Sequence, residues 1–127
     1  MKRILLSSVI ILSSFNIFAN SQWVLIGVSE SDSVFFIEAE SIQKNGDSST
    51  HWIRNNLPKR DKFGDLSTKY QETINCRTRE RTFRYFISFD DTENNGKTTY
   101  SGNVKAEWEP IAPGSVNWAI YKYVCNK

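Results

Sequence analysis

The chain closes on Pro113-Gly114-Ser115-Val116-Asn117-Trp118-Ala119-Ile120-Tyr121-Lys122-Tyr123-Val124-Cys125, and this stretch constrains the fold more than any other. Pro113 and Gly114 break whatever precedes them. Ser115 is placed to N-cap a helix, its hydroxyl accepting from a backbone N–H two or three residues on. Trp118 stands where a capping box would carry Glu or Gln, so the reciprocal bond is missing. Val116, Ala119, Ile120, Tyr123 and Val124 form one helical face, and Lys122 suits the negative end of the helix dipole. Isolated helices need about 12–15 residues or more to persist in water, so this one has to dock on something. Cys125 offers a tether, because Cys76 is the only other cysteine in the sequence. At about 100° per residue, Cys125 points almost opposite to Val116, and the helix is therefore expected to fray before it.

The surface on which it docks is read from alternation. Gln22–Val28 and Val34–Glu38 are rich in β-formers and are expected to pair as a hairpin across Ser29–Ser33. Ala39–Lys44 fits either a short helical turn or a continued strand. After the Asn45-Gly46-Asp47 turn, Thr50–Asn56 reads as a third strand, ended by Pro58. Lys59–Ser67 is polar, charged and glycine-containing, as expected of an exposed mobile loop. Lys69–Arg77 reads as a fourth strand with Tyr70, Glu72, Ile74 and Cys76 on one face, where Glu72 is a misfit. Thr78-Arg79-Glu80 is the expected turn. Arg81–Asp90 is the strongest strand, with Phe83, Tyr85, Ile87 and Phe89 on one face and Thr82, Arg84, Phe86 and Ser88 on the other. Asn95-Gly96 favours a tight hairpin into a sixth strand, Lys97–Val104, in which Gly102 marks a candidate bulge. Trp108–Pro113 is an extended connector, since residues before proline avoid the helical region. The expected fold is α+β: a roughly six-stranded antiparallel sheet with one C-terminal helix packed on one face.

Residues 1–19 read as a signal peptide: Lys2-Arg3, an apolar run from Ile4 to Ile17, and a cleavage site at Ile17-Phe18-Ala19. The run is about 15 residues, short of the roughly 20 of a membrane-spanning helix, and no cysteine follows it to take a lipid. The expected mature domain is 20–127, with no transmembrane segment after cleavage, located in the periplasm, at the cell surface or secreted. The whole chain has 16 Lys+Arg against 14 Asp+Glu. Losing Lys2 and Arg3 removes that excess, and with it any global argument for nucleic-acid binding. In an oxidising compartment an even cysteine count favours one disulfide, Cys76–Cys125. A free thiol pair or a metal site is the rival, disfavoured by a single histidine and the lack of CxxC.

The chemistry of enzymes is thinly represented. His51 has no nucleophile motif beside it. The carboxylates Glu38/Glu40 and Asp90/Asp91/Glu93 fit solvated turns better than glycosidase pairs. Asp91–Gly96 begins like a calcium loop, but the closing glutamate position is Gly102. No cofactor or metal site is expected. Two basic groups, Arg77/Arg79/Arg81/Arg84 and Lys59/Arg60/Lys62, are the candidate binding residues, suited to acidic glycans, acidic protein surfaces or lipid headgroups. The tryptophans are read mostly as core, with Trp118 a candidate exposed contact.

Taken together, Trp23, Phe36-Ile37-Glu38, Ser41-Ile42, Trp52-Ile53, Asn75-Cys76, Trp108, Ile111-Ala112-Pro113-Gly114-Ser115 and the closing Val124-Cys125 resemble the surface-adhesin protein E family of Gram-negative bacteria. The resemblance implies a curved antiparallel sheet with its C-terminal helix tethered by a disulfide to the concave face. It implies a non-enzymatic module able to dimerise, with host matrix or serum proteins such as vitronectin, laminin or plasminogen as partners. The family's lipidated cysteine has no counterpart here, and no binding residue carries over. A periplasmic protein with an envelope or toxin partner is the alternative reading.

Overall fold

The computed structural model describes residues 22–126; the expected signal segment and its cleavage site lie outside them. Eight strands form one antiparallel sheet: β1 (Trp23–Val28), β2 (Val34–Glu38), β3 (Gln43–Asn45), β4 (Ser48–Asn56), β5 (Ser67–Asn75), β6 (Glu80–Phe89), β7 (Thr98–Asn103) and β8 (Glu109–Pro110). Six run in the order β1-β2-β4-β5-β6-β7. The two short additions share edges: β3 pairs with β4 beside β2, and β8 pairs with β6 beside β7. The ambiguous Ala39–Lys44 stretch resolves into both options, a 3-10 turn at Ala39–Ser41 followed by β3. The Trp108–Pro113 connector contains β8, because Glu109 and Pro110 meet Arg81 and Glu80.

One helix, α1 (Val116–Cys125), follows, with the Ser115 hydroxyl accepting from the Trp118 N–H at 3.1 Å. It does not fray before Cys125. The expected apolar face was drawn too narrow and off-centre. Ile120 and Val124 are fully buried, while Val116 on one flank and Trp118, Tyr121 and Cys125 on the other also pack against the core. Cys125 therefore sits at one margin of a broad buried arc rather than on the back. Its bond to Cys76 closes over 49 residues with Cα atoms 5.7 Å apart, worth about 4 kcal/mol in the chain-entropy model. Trp118, read as a candidate exposed contact, tilts against Tyr121 with ring centres 4.8 Å apart and packs against the core.

The core lies between helix and sheet: Ile37, Ile53, Tyr70 and Ile74 from the strands, with Ile111, Ile120 and Val124. The expected alternation of β6 holds only in halves. Gln71 pairs with Tyr85 but Glu72 with Phe83, so Arg84 is an extra residue, and the bulge moves every later side chain to the other face. Phe83 and Phe86 consequently both meet Tyr70, edge-on at 5.0 Å and stacked at 6.0 Å. Tyr85 instead meets Trp52 across the sheet. A second irregularity falls at Thr99, not at Gly102, which pairs regularly with Phe86.

Two loops also depart from expectation. The β6–β7 link is not a two-residue turn. It includes a tight turn at Thr92–Asn94 in which Glu93 and Asn94 both have left-handed φ, 62° and 58°, and Asn94 reaches back to the Thr68 carbonyl. Gly96 has φ 76°, and a Cβ there would fall 2.8 Å from Asp91 Cβ, so only glycine fits. The 59–67 segment is exposed at its tip but tied down. Asp61 Oδ1 accepts from the N–H groups of Phe63 and Asp65, Arg60 donates to the Gly64 and Asp90 carbonyls, and Asp65 is buried.

Candidate functional site

Strand alternation gives the sheet two faces. On the helix side, Ser49, His51, Glu72 and Arg81 line up beneath Asn117 of α1. His51 Nε2 lies 2.9 Å from Glu72 Oε1, and the Ser49 hydroxyl 3.3 Å from His51 Nδ1. Arg81 Nη1 is 3.5 Å from Glu72 Oε2 and donates to Asn117 Oδ1, while its Nε donates to Glu109. Glu72 is thus no misfit: its carboxylate joins two neighbouring strands to the helix. Ser49, His51 and Glu72 have the order of a hydrolase triad, but all three are 0–1 % exposed, and the cavities lined by Trp52 and Tyr85, by Phe35 and Val116, and by Phe63 and Phe86 include none of them. A nucleophile must meet its substrate, so this constellation holds the fold. Tyr70 beside it has its phenol pushed well above the ordinary value of 10.0, first by burial and then by the Glu72 charge, with Arg81 opposing.

The candidate arginines do not converge. Arg77 is exposed and pairs with Asp47 at 3.4 Å. Arg79 holds a left-handed turn at φ 59° and lies 5.7 Å from the Trp118 ring. Arg81 points into the interior, and Arg84, at the bulge, stands on the opposite side beside Trp52 and Tyr85. The turn at 76–79 separates Arg77 and Arg79 from the strand, and β6 separates Arg81 from Arg84. Lys59 is exposed, Arg60 is committed to carbonyls, and Lys62 lies over the Phe63 ring at 5.0 Å.

The open face carries what sequence reading missed. Trp23 (β1), Phe36 (β2), Trp52 and Arg54 (β4), Lys69 (β5) and Tyr85 (β6) form one half-buried array across five strands. The Arg54 guanidinium lies 4.8 Å from the Trp23 ring centre and 4.9 Å from that of Phe36. The Lys69 ammonium lies 5.5 Å from Trp23 and 5.0 Å from Trp52. The described helix is on the other side; the 91–94 turn closes one end of this face, where Glu93 pairs with Arg54 at 3.3 Å and where Asp91 and Asn94 bond the buried Ser67 hydroxyl. Beside Tyr85 the array opens into a cleft of about 510 Å³ with Gln71, Arg84 and Asn103 in its walls. Cations held over aromatic faces keep their charge while their stems cover apolar surface. Such a platform suits contact with an acidic, partly apolar protein surface. The available signal was spacing: Trp52 and Arg54 are two apart in one strand, so they share a face.

Among the described residues, no group of three or more His, Cys, Asp or Glu could hold a metal ion. No described helix is long and apolar enough to cross a membrane.

None of the curated proteins matches the chain. Solved structures do. Haemophilus influenzae protein E in its crystal form II superposes with a TM-score of 0.63 at 16% identity, covering 84% of this chain and 88% of that one. Another structure of the same protein gives 0.63, covering 84% and 85%. Protein E from non-typeable Haemophilus influenzae gives 0.58, covering 84% and 76%. At this identity the likeness establishes the fold. The family profile of surface-adhesin protein E matches residues 23–126, nearly everything described above. The chain therefore belongs to the surface-adhesin protein E family and is, at that level, an adhesin-type binding module.

Proposed function

We propose that this chain is exported, residues 1–19 being its signal and 20–127 its mature domain, and that it adheres to a host matrix or serum protein through the open face of the sheet. The family resemblance implies partners of the vitronectin, laminin and plasminogen class. The observation that carries the reading is the half-buried array of Trp23, Phe36, Trp52 and Tyr85 interleaved with Arg54 and Lys69, on the face away from the helix. Aromatic and arginine side chains are the usual energetic centres of protein interfaces. Arg84 adds charge at the cleft, whereas Arg77, Arg79 and Lys59 sit at the rims, where charge steers encounter more than it sets affinity.

Adsorption to immobilised vitronectin or laminin tests this. The Trp52→Ala/Lys69→Glu pair is expected to bind about tenfold or more weakly, and the Arg77→Glu/Arg79→Glu pair nearly as well as the parent, with binding falling as salt rises. Undiminished binding by the first pair removes the open face from the reading. Fractionation addresses location: protein found wholly inside the outer membrane replaces the host partner with an envelope or toxin partner.

A further inference from the structure

We propose that a second site, on the helix side of the sheet but with no helix residue in its lining, receives the ammonium group of a lysine side chain from a protein partner. The site is a cavity of about 630 Å³. Phe63, Phe86 and Tyr100 line it, Asp61 and Asp65 add carboxylates, and Thr68 and Ser88 complete the floor. The tied-down 59–67 loop brings Phe63 and the two aspartates over strands β5 to β7. Tyr100 follows the irregularity at Thr99, and both residues line the same opening.

Three observations converge on a cation. Asp65 is 5% exposed, yet its carboxylate has only a neutral partner, the Thr99 hydroxyl. Among the described residues no cation lies within 4.0 Å of Asp61 or Asp65. The nearby Lys62 is placed over the Phe63 ring instead, and Arg60 is bound to carbonyls. A buried carboxylate without a counter-charge is costly, and the cost falls when a cation arrives. Secondly, the Thr68 hydroxyl is buried and has no hydrogen-bond partner. Thirdly, the remaining wall is aromatic, with Phe63 74% and Tyr100 53% exposed, so large rings are held in water around an acidic floor. Rings surrounding a carboxylate attract a cation by their negative faces while covering its apolar stem.

Lysine fits better than the other biological cations. Its ammonium has three freely directed donors, which suit a carboxylate and separate hydroxyls. Arginine's planar fork gains most from two free parallel acceptors, and one Asp65 oxygen is already engaged by Thr99. A quaternary ammonium has no donors for the carboxylate or Thr68. The site stands apart from the open-face reading, because Tyr70, Thr68 and Phe86 lie on the opposite side of the sheet from Trp52 and Tyr85.

The test is a chemical-shift titration of the isotope-labelled protein with Nα-acetyl-L-lysine methylamide, against the corresponding norleucine and arginine compounds and choline. The lysine compound is expected to shift the amides of Phe63, Asp65, Ser88 and Tyr100, with a dissociation constant on the order of 1 mM. Norleucine, arginine and choline should bind about tenfold or more weakly. Asp65→Asn keeps an oxygen for Thr99 and should lose lysine binding by a similar factor, as should Tyr100→Ala at its exposed position. Equal binding of norleucine, tighter binding of arginine or choline, undiminished binding by folded Asp65→Asn, or shifts centred elsewhere would each overturn the assignment. Trp52→Ala should leave the titration unchanged.

Discussion

Arg81 and Arg54 stand on opposite faces of the same sheet and do different work. Arg81 lies under the helix, bonded to Asn117 and Glu109 and beside Glu72, with 13% of its side chain exposed. Arg54 is slightly more covered, at 11% exposed, but its cover is two aromatic rings and a half-exposed partner, Glu93. On the helix side, polar groups are taken out of water and have to satisfy one another. On the open side, Arg54 and Lys69 rest on rings, and Arg54 also pairs with the half-exposed Glu93. Among the described residues, the sheet thus sets the hydrogen-bonded charges of Glu72 and Arg81 on its helix face and the ring-stacked charges of Arg54 and Lys69 on the other.

The widest test of that separation is Glu72→Ala. It leaves His51 and Arg81 buried without their carboxylate, and should cost about 3–5 kcal/mol in urea unfolding. A cost below about 1 kcal/mol would mean that the two faces do not differ. The intermediate test is alkaline titration. The folded Tyr70 phenol holds its proton above the ordinary value of 10.0, while the unfolded chain releases it there. The unfolded state then binds fewer protons, so stability present below about pH 10 is lost as pH rises, by about 1.4 kcal/mol per unit until the folded phenol also ionises. Tyr70→Phe should remove that slope, and an unchanged slope would separate Tyr70 from the buried charge. The smallest effect is expected on the open face: Arg54→Ala should cost about 1 kcal/mol of stability while weakening adhesion clearly. Equal losses of stability in Arg54→Ala and Glu72→Ala would erase the contrast.

Much of the fold could be read along the chain. The order of six main strands and a terminal helix, the Ser115 cap and the Cys76–Cys125 pair all rest on local chemistry: alternation, a hydroxyl before a helical run, two thiols in one chain. The misreadings cluster where one inserted residue matters. Arg84 breaks the β6 alternation, and no local signal marks it, because a bulge is set by the partner strand's register. The Cys125 discrepancy came from assuming a narrow apolar stripe. The helix lies on a broad sheet, and so buries a wider arc that includes Asn117.

The candidate site was less legible for the same reason. Arg77, Arg79, Arg81 and Arg84 are close in sequence, but the first two lie in the β5–β6 turn, and β6 sends Arg81 and Arg84 to opposite faces. Trp23, Phe36, Trp52 and Lys69 are distant in sequence, and strand pairing brings them together. The amino-acid sequence by itself determined which segments extend, where the helix starts and which two sulfurs were there to join, since those depend on near neighbours along the chain. Register, the bulge and the choice of face were decided only in the tertiary structure. They fix which charges are buried in pairs and which stay on the surface, because burial is a property of the assembled sheet and helix.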